Sequence, residues 1–245
     1  MKFIALSPTS DKPEVQDAGL PIDNGQWLIP ARVMPRPGCD RINAILWRLT
    51  QIHDSGDNPL AVIGVTSCHH GAGVSTISAN LAIRAAELGL GRVLLLDANV
   101  ERPSVAKIFR IRQPGPGLGD LLLGQTELRD CVRNSGVTNL KLLHAGVQSR
   151  ERVVFCPEFY ECLLRELRLE FNIIVVDLPH VLGHPHAAIL ASLMVGVLLV
   201  VEGERDRRPW MAASKKQLED AGANLIGAVL NKRRQYLPSF ISRWF

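Results

Sequence analysis

With 245 residues, 47 % of them hydrophobic, the chain has room for one α/β domain with extensions and enough apolar surface for a sizeable core. Its formal net charge of +4 is too mild to point to nucleic acid, which is excluded as a partner. Five cysteines (Cys39, Cys68, Cys131, Cys156, Cys162) are odd in number and lack metal-ligand spacing. Since Met1–Leu6 is too short for a secretory leader, a reducing cytoplasm is expected.

Residues 1–38 hold six of the fifteen prolines and no sustained periodicity, so a disordered or loosely docked arm is expected there. Across Asp40–His53 the residues Ile42, Ile45, Leu46, Leu49 and Ile52 recur at helical spacing, with Asp40 as N-cap. Ala61–Thr66 is a short apolar, β-branched run and predicts a buried strand. A turn bearing Gly71 and Gly73 follows, then a helix whose Ile77, Leu81, Ala85 and Leu88 fall on one face. Strand, glycine loop and helix form the setting of a phosphate-binding loop, in which backbone N–H groups and the helix N-terminus receive the phosphates. Such a loop ends Gly-Lys-Ser/Thr; this one ends Gly73-Val74-Ser75.

Further strands are expected at Arg92–Asp97, Leu140–His144, Asn172–Asp177, Val195–Val201 and Leu225–Leu230, and helices at Pro157–Glu170 and Pro209–Ala221. Ala98–Arg112 reads as a loop with a short helix, Gln113–Gly119 as a turn, and Leu118–Leu123 as a further helical piece. Leu178–Val201 lacks charged residues, but its apolar part, Ala187–Val201, is 15 residues long, short of the roughly 20 a spanning helix needs. A buried helix followed by a buried strand accounts for it. Apolar strands alternating with amphipathic helices indicate an α/β fold with a mostly parallel sheet covered on both faces. Ligands of such sheets bind beyond the carboxyl ends of the strands, where Asp97, Asp177 and the glycine loop all fall.

With the strands placed, residues 39–232 resemble the cytoplasmic kinase domain of bacterial tyrosine kinases, the capsular and exopolysaccharide branch of the MinD/ParA-like P-loop ATPases. GAGVSTISANLA is similar to the family's G-x-G-K-S-T-x-x-x-N-L-A, and VLLLDANVERPS to its second, Walker A-prime motif. GLGDLL, IIVVDLPHVLGHPHAAIL (the Walker B segment), GVLLVVEGERDRRPW and IGAVLNKRR match further motifs in order. The resemblance implies a P-loop NTPase (MinD/ParA-like) fold and a nucleotide site at Gly71, Ala72, Gly73, Val74, Ser75 and Thr76, with Asn231 at the adenine. Weakly held ATP or ADP is the implied cofactor, with Mg²⁺ met by Ser75, Asp97 and Asp177.

The departures shape the functional expectation. Val74 replaces the loop lysine, Asn99 the second acid of the Walker A-prime motif, and His186 the Asp after Walker B; His70 and Ala72 replace the loop's Pro and Glu. A lysine about 4 Å from phosphate, at an effective dielectric near 20, contributes at most roughly 4 kcal/mol. Loss of that charge together with two acids leaves Asp97 and Asp177 as vestigial catalytic residues, and a non-catalytic relative is expected. The resemblance implies a cytoplasmic protein peripheral to the inner membrane that binds a membrane polysaccharide co-polymerase, or an active homologue. The alternatives are a working tyrosine autokinase that takes a cation from elsewhere, and a MinD/ParA-like positioning ATPase. The last is disfavoured because His69 holds that group's signature-lysine position.

Of the family's Glu-x-x-Arg-x-x-Arg assembly helix only Arg48 survives, with Ile42 and Ile45 at the other positions, so ring-like self-association is not expected. His69, His70, His180, His184 and His186 come from two segments expected to meet at the sheet edge, as surface histidines rather than a metal site. Cys68 and Cys162 read as small buried hydrophobes. Trp47 and Trp210 read either as partner anchors or as caps on the core edge. In the tail, residues 233–245, the residues Leu237, Phe240, Ile241, Trp244 and Phe245 form one helical face behind the basic Lys232-Arg233-Arg234, suiting a membrane surface contact through 232–245 or a partner groove. The tyrosine-rich tail of the family is reduced to Tyr236.

Overall fold

The computed structural model describes residues 42–47, 61–112, 115–146 and 155–232. The arm, most of the helix predicted over Asp40–His53 (Asp40 and Arg48 included) and the tail from 233 lie outside the described residues. Strands β1 (Ala61–Ser67), β2 (Val93–Asp97), β3 (Val132–Asn134), β4 (Leu140–Leu143), β5 (Ile173–Asp177), β6 (Gly196–Glu202) and β7 (Leu225–Asn231) form one sheet in the order β3-β4-β2-β5-β1-β6-β7. Every pairing is parallel except β3 with β4 at the edge. The helices are α1 (residues 42–47), α2 (Val74–Glu87), α3 (Val105–Ile108), α4 (Leu118–Leu122), α5 (Leu128–Cys131), α6 (Pro157–Glu170), α7 (Pro185–Ser192) and α8 (Arg208–Asp220).

Two cores flank the sheet. Val62, Leu94, Leu96, Ile174 and Val176 point to one face, where α4 to α8 cover them through Leu118, Leu163, Leu167, Leu190 and Leu218. Ile63, Val65, Leu95 and Val175 point to the other, beneath Ile42 and Leu46 of α1, Ile77, Leu81 and Ala85 of α2, and Val105 of α3. Consecutive strand residues therefore go to opposite cores, which is why β1, β2 and β5 read as continuous apolar runs.

The predicted parallel strands and long helices are present within a residue or two. Two expectations need correction. Leu88 does not join the buried face of α2: the helix ends at Glu87 and Leu88, its C-cap, is 44 % exposed. Cys162 is exposed on α6, whereas Cys68 is buried as expected. Lys232, the first residue of the expected basic lead-in, places its side chain on the glycine loop, and the rest of that lead-in lies outside the described residues. The stretch 178–201 forms a 3-10 turn, α7 and β6, and among the described residues no helix is long and apolar enough to cross a membrane.

Candidate nucleotide site

The loop between β1 and α2 closes on two residues that need glycine. Gly71 has φ 90° and Gly73 φ 95°, the left-handed region that L side chains enter at a cost. Gly73 is the N-cap of α2, and a Cβ there would lie 2.4 Å from Asn231 Nδ2. This frees the backbone amides at the start of a 14-residue helix for an anion. Val74 gives no charge to that position. Its side chain is half-buried and packs against the α2-side core.

Four consecutive loop residues are tied to the far half of the chain. His69 Nδ1 lies 3.1 Å from Asp206 Oδ1, and the His70 carbonyl accepts from Arg205 Nη1 at 3.1 Å. The Gly71 carbonyl accepts from Lys232 Nζ at 2.5 Å, and the Ala72 carbonyl from Asn231 Nδ2 at 2.8 Å. Glu202, at the end of β6, faces both cations: Lys232 at 3.3 Å and Arg205 at 3.5 Å. Asp206 also accepts from the Glu202 amide at 2.7 Å. Sequence reasoning placed Asn231 here but missed Arg205, Asp206, Glu202 and the role of Lys232.

On the other side of the loop, Asp97 and Asp177 stand in register at the ends of neighbouring β2 and β5. Asp97 is fully buried, yet satisfied: Oδ1 accepts from the Asn99 amide at 3.1 Å, and Oδ2 from the Ser104 and Val105 amides at 3.0 Å each. It thereby holds the turn into α3, a structural task. Burial still pushes its pKa up to about 6, against the pull of those three donors. Asp177, 1 % exposed, has no hydrogen bond to either carboxylate oxygen. Burial first, and then the charge of Asp97, raise its pKa well above the carboxylate range. The Ser75 hydroxyl beside it offsets part of that rise without reaching hydrogen-bonding geometry. An orphaned buried carboxylate next to a serine hydroxyl fits a small hard cation, so Asp177 and Ser75 are the residues that would hold Mg²⁺. Asp97 has its lone pairs engaged and fits that role less well.

The histidines meet only in part. His180 lies edge-on to His184 with centroids 4.5 Å apart and 6.2 Å from His70. Burial, then the neighbouring His184, His70, His69 and Arg102, lower its pKa to about 4, so it is neutral at physiological pH. His186 turns away and stacks on Phe155 at 4.6 Å. Among the described residues no group of three or more His, Cys, Asp or Glu side chains is placed to hold a metal ion. Trp210 is 37 % exposed and lies between His69 and Arg207, while Trp47 is 66 % exposed on α1.

No family model matches the sequence. The chain is 30 % identical over 185 residues to the tyrosine-protein kinase CpsD of Streptococcus pneumoniae, covering 75 % of this chain and 80 % of that protein. Among solved structures it is similar to the VpsO kinase domain, at 28 % identity and a TM-score of 0.68 over 81 % of this chain and 96 % of that one. The fold is also that of the septum site-determining protein MinD of Pyrococcus horikoshii, solved in complex with Mg-ADP, at 22 % identity and a TM-score of 0.62, covering 75 % and 76 % of the two chains.

Proposed function

Because the chain belongs to the capsule and exopolysaccharide tyrosine-protein kinase family that includes CpsD, we propose that it is a member that keeps the nucleotide scaffold without phosphoryl transfer. In this reading it acts in polysaccharide biosynthesis or export as the cytoplasmic partner or regulator of a membrane polysaccharide co-polymerase, holding ATP or ADP weakly. The observation that carries the reading is Val74, whose half-buried side chain packs against the core where a P-loop presents its lysine. Phosphoryl transfer depends on positioning and on charge at the transferred group. Removing that cation, with Asn99 and His186 in place of acids, takes away charge that the transition state requires. Ser75 and the unpartnered Asp177 support retention of Mg²⁺ with bound nucleotide. When bound, the ion would neutralise phosphate charge.

A second reading, a working tyrosine autokinase with a cation from elsewhere, is favoured by one observation: Arg205 and Lys232 both reach the loop. Phosphate release by the purified chain in Mg-ATP separates the two. Turnover above that of a Ser75→Ala/Asp177→Ala control would overturn the first reading. Co-sedimentation with membranes carrying the co-polymerase tests the partner.

A further inference from the structure

We infer that Lys232 and Arg205 are the phosphate-binding cations of this site, replacing from the rim of the loop the charge absent at position 74. The inference rests on the nucleotide reading above and assigns the charge to residues no loop motif contains. A loop of free amides at a helix N-terminus receives an anion, and the unpartnered carboxylate of Asp177 beside Ser75 marks the place of its counter-cation. A polyphosphate bound there carries several negative charges, and Val74 neutralises none.

Lys232 and Arg205 already touch the loop, through the carbonyls of Gly71 and His70. These carbonyls occupy the same small ring of peptides whose amides would face phosphate. Both side chains are about half exposed, at 48 % and 55 %, so their ends can move a few ångström without backbone change. They share one carboxylate, Glu202, while Asp206 is engaged by His69 and the Glu202 amide. An incoming phosphate therefore competes with Glu202 and two loop carbonyls for cations that are already in place. The arrangement serves binding rather than transfer, because the charges approach from the carbonyl side of the loop.

The test is calorimetry of the full chain with adenosine, Mg-ADP and Mg-ATP, for wild type and the variants Lys232→Met, Arg205→Met, Lys232→Arg and Glu202→Gln. Each Met substitution is expected to weaken Mg-ADP and Mg-ATP about tenfold and to leave adenosine unchanged. Lys232→Arg should keep most of the affinity, Glu202→Gln should raise it, and the dependence of log Kd on log salt should flatten in the Met variants. Equal losses for adenosine and ADP would show that the side chains only hold the loop in shape, and overturn the inference. So would unchanged ADP affinity in the double Met variant, or no ADP binding to wild type at millimolar concentration. Wild-type ATP turnover abolished by Asp177→Asn would instead overturn the non-catalytic reading. The phosphate-dependent difference between wild type and Lys232→Met would still decide the role of the cations.

Discussion

Asp97 and Asp177 are cross-strand neighbours in register, equally buried, and opposite in their hydrogen bonding: three backbone amides satisfy the first and none the second. A buried polar group without a partner opposes folding, so Asp177 is held at the expense of stability, as a cation-binding residue would be.

Asp177→Asn is therefore expected to stabilise the nucleotide-free protein by about 1–3 kcal/mol at neutral pH. The pH dependence follows from the raised pKa. A carboxyl whose folded pKa exceeds its unfolded one contributes stability that is complete below the unfolded value and lost as pH rises through the folded value. The advantage of Asn should be large near pH 7 and vanish near pH 4, where the wild-type carboxyl is protonated in the folded state. Urea melts at the two pH values check this; an equal gain at both would contradict it.

Val74→Lys should strengthen Mg-ADP binding more than it raises ATP turnover, because by resemblance Asn99 and His186 still stand in place of acids. The new side chain must leave the α2-side core for the loop, at a stability cost of about 1 kcal/mol from lost apolar burial. Full kinase turnover restored by this one change would show that the rest of the site is intact.

Gly73→Ala and Gly71→Ala should differ, although both glycines have positive φ. At Gly71 the nearest atom to a new Cβ is Arg205 Nη1 at 3.6 Å, an ordinary contact, so only the backbone strain of about 1 kcal/mol applies. At Gly73 the Cβ meets Asn231 Nδ2 at 2.4 Å, and Asn231 must release the Ala72 carbonyl. A total near 3 kcal/mol is expected, by adding a lost hydrogen bond and its unsatisfied carbonyl to the strain. Thermal melts of both variants, and of Gly73→Ala/Asn231→Ala, separate the contributions: the double variant should lose the clash and keep the strain.

β1, β2, β5 and β6 were legible because each is buried on both faces and so appears as an unbroken apolar run ending in a polar residue; β7 reads as apolar although it is only half-buried. β3 was not, since a three-residue antiparallel edge strand with exposed Arg133 and Asn134 has neither an apolar run nor alternation. The short α5 gave no period to read. In the site, Gly71, Gly73, Asp97 and Asp177 were legible from local motifs at strand ends. Lys232 and Arg205 were not: they reach the loop across 161 and 135 residues of chain, and each reads locally as a solvated charge. The opposite fates of the two aspartates were equally hidden, because they depend on how the turn into α3 aims its amides.

The helix α1 bears on self-association. By resemblance, Ile42 and Ile45 stand where the family places Glu and Arg of its assembly motif. Ile42 is 5 % exposed and belongs to the α2-side core with Leu46, while Ile45 is half-buried against it. Asn43 Oδ1 fixes the helix to α2 by accepting from Arg84 Nε at 2.7 Å. The position that would carry an intersubunit acid thus faces the protein's own interior. Restoring it with Ile42→Glu should therefore not produce a ring. It removes a buried Ile, worth about 1.5–3 kcal/mol, and places a carboxylate in the α2-side core. A loss of about 3–5 kcal/mol is expected, with α1 detaching from α2. Ile42→Val, which keeps the shape, should cost about 1 kcal/mol. Sedimentation velocity should find wild type and both variants free of octamers at every concentration. A concentration-independent ring in the wild type, or one created by Ile42→Glu without loss of stability, would show that α1 still serves as an assembly face.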